Sequence, residues 1–410
     1  LVYFGETVED KTLCLWRFVR LDEYARAMDP TREAVREGIL GLLDHLQKSE
    51  IASEALLMRT DLASVPAYLM ERVAAQPDWT VQTPALNQAL GVWAKEKQPA
   101  SPIQVVIGAP HSGVSTALAA WAKELGWRLV AAPTYEQVLE GGRDWLKQFS
   151  HNQEKPLVIP KFEHLYLRHH AGLSLVRRLL DWLWSTKRRC LIGCDSWAWA
   201  YLTRALQIDT LVPHPITLAA FDYEHLRVWL QELASHSERF VFRQTDNGHF
   251  VLPPAVSAES GEIEEVADYL KHLAAFSRGI PGVAWAIWRY SLQYGIDESV
   301  QAKAQETAER DQHVTMWVKA WSQLNLPELP RPVTQPHLFV LHALLLHGGL
   351  TTKGLAQVLP LSATEVIESI HRLGPAGLIE TVGDRYQVTA MSYPVVRKVL
   401  SQEGYLVDAI

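Results

Sequence analysis

At 410 residues, 48% hydrophobic and 21% charged, the chain is long enough for two or three domains with packed cores. Its formal net charge of −7 and pI near 6.2 speak against a nucleic-acid coat, which needs a basic surface. Three cysteines, Cys14, Cys190 and Cys194, are too few for a disulfide framework and suit a reducing, cytoplasmic setting; no apolar run reaches the ~20 residues that span a bilayer.

Residues 1–84 read as mostly helical. Within 28–46, Asp29 is placed to cap, Pro30 suits the first helical position, and Val35, Ile39, Leu40, Leu42 and Leu43 make an apolar face. The first residue is Leu1 and no secretory signal is visible, so a fragment is expected, with an upstream segment or membrane anchor left open. Over 85–261, apolar strands alternate with amphipathic helices: IQVVIG, WRLVAA, PLVIP, RCLIGC and PITLAAF are the strands. That alternation implies an α/β domain with a parallel sheet covered on both faces. The first strand is expected centrally, beside the third. Cys190 and Cys194 are expected as a buried pair in the fourth strand.

RFVFRQTDNGHFVL reads as a hairpin inserted at about 239–253, turning at Asp246, Asn247 and Gly248. Residues 262–325 return to helix and are read as a lid. Four prolines within 326–336 mark a stiff linker. Residues 337–410 carry three helical segments and two strands joined at Gly383 and Asp384, the order of an α+β winged helix, with Ser362 and Glu365 as a capping box.

The chemistry centres on GAPHSGVST. The phosphate-loop pattern is G-x-x-x-x-G-K-[ST], on a loop between a strand and a helix. Gly108 and Gly113 hold the glycine positions, and Ser115 the hydroxyl position that would meet a magnesium ion. Val114 stands where lysine belongs. The amides of Gly108, Ala109, Pro110 (which lacks an N–H), His111, Ser112, Gly113, Val114, Ser115 and Thr116 are the stretch from which a phosphate cradle is built. Losing a charged hydrogen bond of roughly 1.5–3 kcal/mol weakens triphosphate binding about tenfold or more. The loss is larger in a phosphoryl-transfer transition state, where charge stabilisation dominates. The third strand should end in a metal-holding aspartate; Pro160 and Lys161 stand there instead, and Glu163 is the remaining carboxylate that could orient a water. A plain glycine turn and a surface carboxylate are the alternatives.

This order of elements resembles the AAA+ and STAND (signal-transduction ATPase) class of phosphate-loop NTPases, over roughly residues 85–390. Gly279 and Pro281, in SRGIPGVAWAIW, are similar to the Gly-x-Pro segment of STAND proteins, where the proline packs near adenine. Arg278 is a sensor candidate by position, with a surface arginine as the alternative. The resemblance implies a phosphate-loop parallel sheet with a helical lid, followed by a winged helix, and ATP or ADP with Mg2+ as ligand. Val114, Pro160 and Lys161 depart from it, and no arginine stands near Asp195 at the end of the fourth strand. The expectation is therefore a pseudo-ATPase acting as a regulatory, signalling or assembly scaffold, with weak or absent ATP hydrolysis, either ATP or ADP with Mg2+ or no nucleotide bound, a protein partner, and room for oligomers. An active nucleotide switch, with Lys161 in place of the lost lysine, and a winged-helix transcription regulator are the alternatives. The regulator is disfavoured by charge. Over 337–410, Lys353, Arg372, Arg385, Arg397 and Lys398 face Glu365, Glu368, Glu380, Asp384, Glu403 and Asp408, a net charge of −1. Three cations at Lys187, Arg188 and Arg189 read as a solvated helix–strand connection.

Overall fold

The computed structural model describes residues 15–27, 62–97, 99–149, 155–212, 214–234, 240–252, 268–295 and 314–410. The helix expected over 28–46 lies outside them. In chain order the first elements are β1 (Phe18–Arg20), α1 (Leu21–Ala27), β2 (Leu62–Ser64) and α2 (Ala67–Val73). A 3-10 turn at Trp79–Gln82 leads into α3 (Thr83–Lys95), β3 (Ile103–Gly108) and α4 (Val114–Glu124). Next come β4 (Arg128–Leu129), α5 (Tyr135–Leu139), α6 (Arg143–Lys147), β5 (Leu157–Ile159), a 3-10 turn at Phe162–Leu165 and α7 (Ser174–Thr186). β6 (Cys190–Asp195), α8 (Ser196–Leu206), α9 (Ile208–Leu211) and β7 (Ile216–Leu218) follow. Then α10 (Tyr223–Leu233), β8 (Phe240–Gln244), β9 (Phe250–Leu252), α11 (Tyr269–Phe276), α12 (Pro281–Ser291), β10 (Leu292–Gly295) and β11 (Val314–Val318). The chain closes with α13 (Gln335–Leu346), α14 (Thr352–Val358), α15 (Ala363–Leu373), β12 (Ile379–Val382), β13 (Arg385–Val388) and α16 (Tyr393–Gln402).

These elements form two compact units: Leu1–Met28, Asp78–Ala219 and Pro327–Ile410 make the first, Asp29–Pro77 and Ala220–Leu326 the second. The first unit holds a six-stranded sheet in the order β1-β7-β3-β6-β5-β4. All its pairings are parallel except that of β1 with β7. β5 is buried throughout, and β3 and β6 at all but one residue each, as strands covered on both faces must be. Cys190 and Cys194 are free, buried thiols of β6.

Two expectations need correction here. The first strand of the α/β pattern, β3, does not lie beside the third, β5; the fourth, β6, runs between them. Gly193 in β6 makes room for this, since a Cβ there would lie 2.5 Å from Leu118 Cδ1 and 2.6 Å from the Pro160 carbonyl. Among the described residues of 1–84, two short strands stand beside the helices. Phe18–Arg20 pairs with Ile216–Leu218 at the sheet edge, a tertiary pairing that local propensity does not announce.

The C-terminal elements of the first unit pack on α8. Helix α13 is buried on nearly every side, which is why its apolar residues show no single face. Trp197 Nε1 of α8 donates to the Tyr393 hydroxyl at 3.1 Å. On the α5 side, Lys353 pairs with Glu136 at 2.5 Å, and the Thr351 amide donates to the Tyr135 hydroxyl.

The second unit has a five-stranded sheet in the order β2-β10-β11-β8-β9, in which β8 and β11 are parallel. The lid expected to be helical over 262–325 therefore contains two strands, and β8–β9 belongs to this sheet. β10 follows α12 without a turn signal, and in β11 only Met316 and Val318 are buried, too short an alternation to read in advance. Around Trp288, Phe242 and Tyr269 close the core at ring separations of 5.3 and 6.0 Å.

Candidate functional site

The site grows from the end of β3. Gly108 is the last strand residue, and a Cβ on it would come within 2.9 Å of both Ser112 Oγ and Val114 Cβ, so the chain can curl back over it only at glycine. The Ser112 amide donates to the Ala109 carbonyl at 3.1 Å, closing a tight turn around Pro110 and His111. His111 and Gly113 adopt left-handed φ values of 64° and 77°. Helix α4 starts at Val114, and the amides of Thr116 and Ala117 both donate to the Gly113 carbonyl. Gly113 is the N-cap and has no side chain to offer the first-turn amides, so this end of α4 suits an anion. Residues 108–116 thus wrap from strand to helix.

Two residues outside the motif clamp this loop. Trp79 lies on Gly113 so closely that a Cβ there would meet its indole at 2.2 Å. Gln82, fully buried, donates from Nε2 to the Ser112 carbonyl at 2.9 Å. Sequence reasoning missed both, because neither belongs to a pattern. Val114 is 4% exposed and sits against Gly108, so the lysine position is filled by packed hydrocarbon.

Glu163 follows β5 in the 3-10 turn and is buried. Its Oε2 accepts from the Asp195 amide at 3.1 Å, and Gly348, between α13 and α14, packs on its side chain. Burial pushes its carboxyl up to about 7, against the pull of the Asp195 amide and the charges of Lys161 and Arg385. Asp195 stands beside Gly108 in the β3–β6 register and accepts from the Trp197 amide at 2.9 Å, capping α8. Burial and the Glu163 charge raise its carboxyl as well. The structure therefore brings together the loop, Glu163 and Asp195 at the carboxyl ends of β3, β5 and β6. Asp195, a residue the motif did not require, is the carboxylate nearest the loop in register.

The C-terminal elements cover this end of the sheet. His111 lies edge-on to Tyr393 at 6.3 Å and bonds to the Val388 backbone; burial lowers its pKa to about 4. Tyr393 and Ser196 donate to Asp408 Oδ2, and Arg397 Nε pairs with Asp408 Oδ1 at 2.8 Å. The Tyr166 hydroxyl donates to the Leu346 carbonyl at 2.5 Å.

This donor set does not fit a magnesium triphosphate. The seat lacks the lysine, the strand end lacks the aspartate, and Glu163 already accepts from a backbone amide. Among the described residues no group of three or more His, Cys, Asp or Glu is placed to hold a metal. What remains is the loop backbone and the Ser115 hydroxyl in the first turn of α4, which suit an anion. Pro281 lies in the second unit, at the first position of α12 and buried. The backbone just before it is set by Gly279, whose φ is +70° and whose carbonyl accepts from the Phe221 amide at 2.9 Å.

No family model matches the chain, and no curated protein matches it. Among solved structures it is similar to a RuvB variant from Thermotoga maritima, at 14% identity over 74% of this chain and 88% of that one, with a TM-score of 0.31. It is similar to Cdc6p from Pyrobaculum aerophilum at 10% identity over 88% and 98%, TM-score 0.32. A Walker-type ATPase of Pyrococcus abyssi aligns at 12% identity over 74% and 91%, TM-score 0.28.

Proposed function

We propose that the chain is a phosphate-loop NTPase-type protein of AAA+ or STAND kind that has given up hydrolysis and serves as a regulatory, signalling or assembly scaffold. The observation that carries this reading is the state of Glu163. Glu163, the carboxylate expected to orient a water, is buried, bonded to the Asp195 amide and packed under Gly348. Val114 adds to it, since a buried valine cannot reach a phosphate. The strand–loop–helix path from β3 through residues 108–116 to α4 supports the phosphate-loop assignment, with residues 78–219 of the first unit as the nucleotide-type domain and 337–410 as a winged helix used for protein contact. Diphosphate held weakly by loop amides, without magnesium, is the ligand this arrangement favours. Titrating ADP and ATP by calorimetry, with and without Mg2+, tests it. Magnesium-dependent turnover that disappears in Ser115→Ala or Glu163→Gln would overturn it.

One observation favours a second reading, the active switch. Lys161 is exposed, and its charge reaches Glu163. Tight ATP binding lost in Lys161→Ala would select it. The transcription-regulator reading fares worse: α15 is capped by Glu365 and also carries Glu368, and carboxylates repel DNA phosphates.

A further inference from the structure

Within the first unit, α13, α16 and residues 405–410 meet α8 and the segment at 166–168 across a buried layer that holds two histidines. His342, on α13, is 5% exposed. Its Nε2 donates to the Leu406 carbonyl at 3.0 Å, and its ring lies 6.0 Å from Trp197 and 5.0 Å from Tyr405. His347, just past α13, is 2% exposed. Its ring lies 4.8 Å from Tyr166, and its Nε2 accepts from the Arg168 amide at 3.4 Å. An imidazole that accepts through Nε2 is neutral, with its proton on Nδ1.

The charges facing these rings disfavour a second proton. Burial is the first cause, lowering His342 to about 4 and His347 to about 3; Arg168 adds to it at both rings, and His342 and Arg385 of β13 add to it at His347. The Leu406 and Tyr166 backbones pull weakly the other way. His164 faces His347 from the turn after β5, and Tyr201 of α8 stacks on Tyr166. The carboxyls around the layer are engaged or raised. Asp408 is paired with Arg397, Glu403 lies beside Tyr405, and burial raises Glu163 and Asp195 behind Tyr166. Protonating His347 would turn its acceptor nitrogen into a donor aimed at an amide donor, with Arg168 and Arg385 as like charges nearby.

We propose that this layer is an acid-operated clasp, in which protonation of His342 and His347 releases α13, α16 and residues 405–410 from α8 and the 166–168 segment while the sheet stays folded. The clasp stands whether or not the loop holds an anion. Both imidazoles are held below their ordinary 6.5, so closure is favoured above pH 6.5 and weakens as pH falls toward 4. At pH 5 each histidine biases the equilibrium about 30-fold toward the open state. Glu163 and Asp195, whose raised carboxyls favour closure in acid, set how far below 6.5 release occurs.

Hydrogen–deuterium exchange of the full chain at pH 7.5 and 5.0, corrected for the intrinsic pH dependence of exchange, tests it. The amides of Arg168 and of 405–410 should lose protection at least tenfold at pH 5.0, while those of β3 and β6 keep theirs. His342→Gln/His347→Asn should reduce that loss at least fivefold. Arg168→Gln keeps the amide and removes the charge, so it should displace release to lower pH; it also serves if the histidine pair proves necessary for folding. An unchanged exchange pattern at pH 5.0, wild-type behaviour in both variants, or equal loss of protection in β3 and β6 would each overturn the proposal.

Discussion

Gly113 shows how tightly single residues are constrained at the loop. Its φ of 77° and the Trp79 indole over it leave no room for a side chain. Gly113→Ala should therefore lower the melting temperature by several degrees, combining about 1 kcal/mol of left-handed strain with the collision. A Trp79→Ala background should recover the collision part; if it recovers nothing, the indole is not the obstacle. Val114→Lys restores the missing cation. Calorimetry should find ADP bound about tenfold more tightly than by the wild type, at the value of one charged hydrogen bond. Unchanged affinity would mean that the seat is closed by something other than valine.

Among elements, the decisive contact is between α8 and the chain's C-terminal end. Asp408 is 4% exposed and paired with Arg397, whose side chain is 13% exposed. Removing one partner of a buried pair strands the other charge and costs about 3–5 kcal/mol. Asp408→Ala should lower the urea midpoint of unfolding accordingly, whereas an effect under about 1 kcal/mol would place the pair in solvent. Exposed Lys353–Glu136, by contrast, should hardly register on mutation. The strand β3, the loop, α4 and the β8–β9 hairpin were readable from pattern, because each is local: β-branched runs, two glycines at fixed spacing, a turn at Gly248. The order of strands was not, since periodicity reports which face is buried and not which neighbour covers it. β1, β10 and β11 escaped for the related reason that short strands owe their existence to partners far along the chain.

At the scale of the first unit, buried and half-buried histidines shape the response to acid. Burial lowers His111 and His342 to about 4, and His164 and His347 to about 3, from 6.5. These groups are neutral in the folded state and protonate more readily when unfolded. Their contribution is present above pH 6.5 and is lost as pH falls toward 4. Glu163 acts the other way. Its raised value contributes stability below the ordinary carboxylate range, lost as pH rises toward 7. With five histidines, His337 being lowered too, against the raised carboxyls of Glu163 and Asp195, the melting temperature should fall between pH 6.5 and 4.5. His347→Asn should flatten that fall, and Glu163→Gln should stabilise the protein at pH 8. A melting temperature that rises on acidification would contradict this assignment of the buried groups.

Composition and spacing were enough to foresee an α/β layer and a glycine-bounded turn between a strand and a helix, because these depend on residue types a few positions apart. The burial of Glu163 was decided by contacts between residues far apart in the chain. Gly348 lies 185 positions from Glu163, and the Asp195 amide 32 positions away. Burial of a charge is a property of everything packed around it, and no local pattern records that.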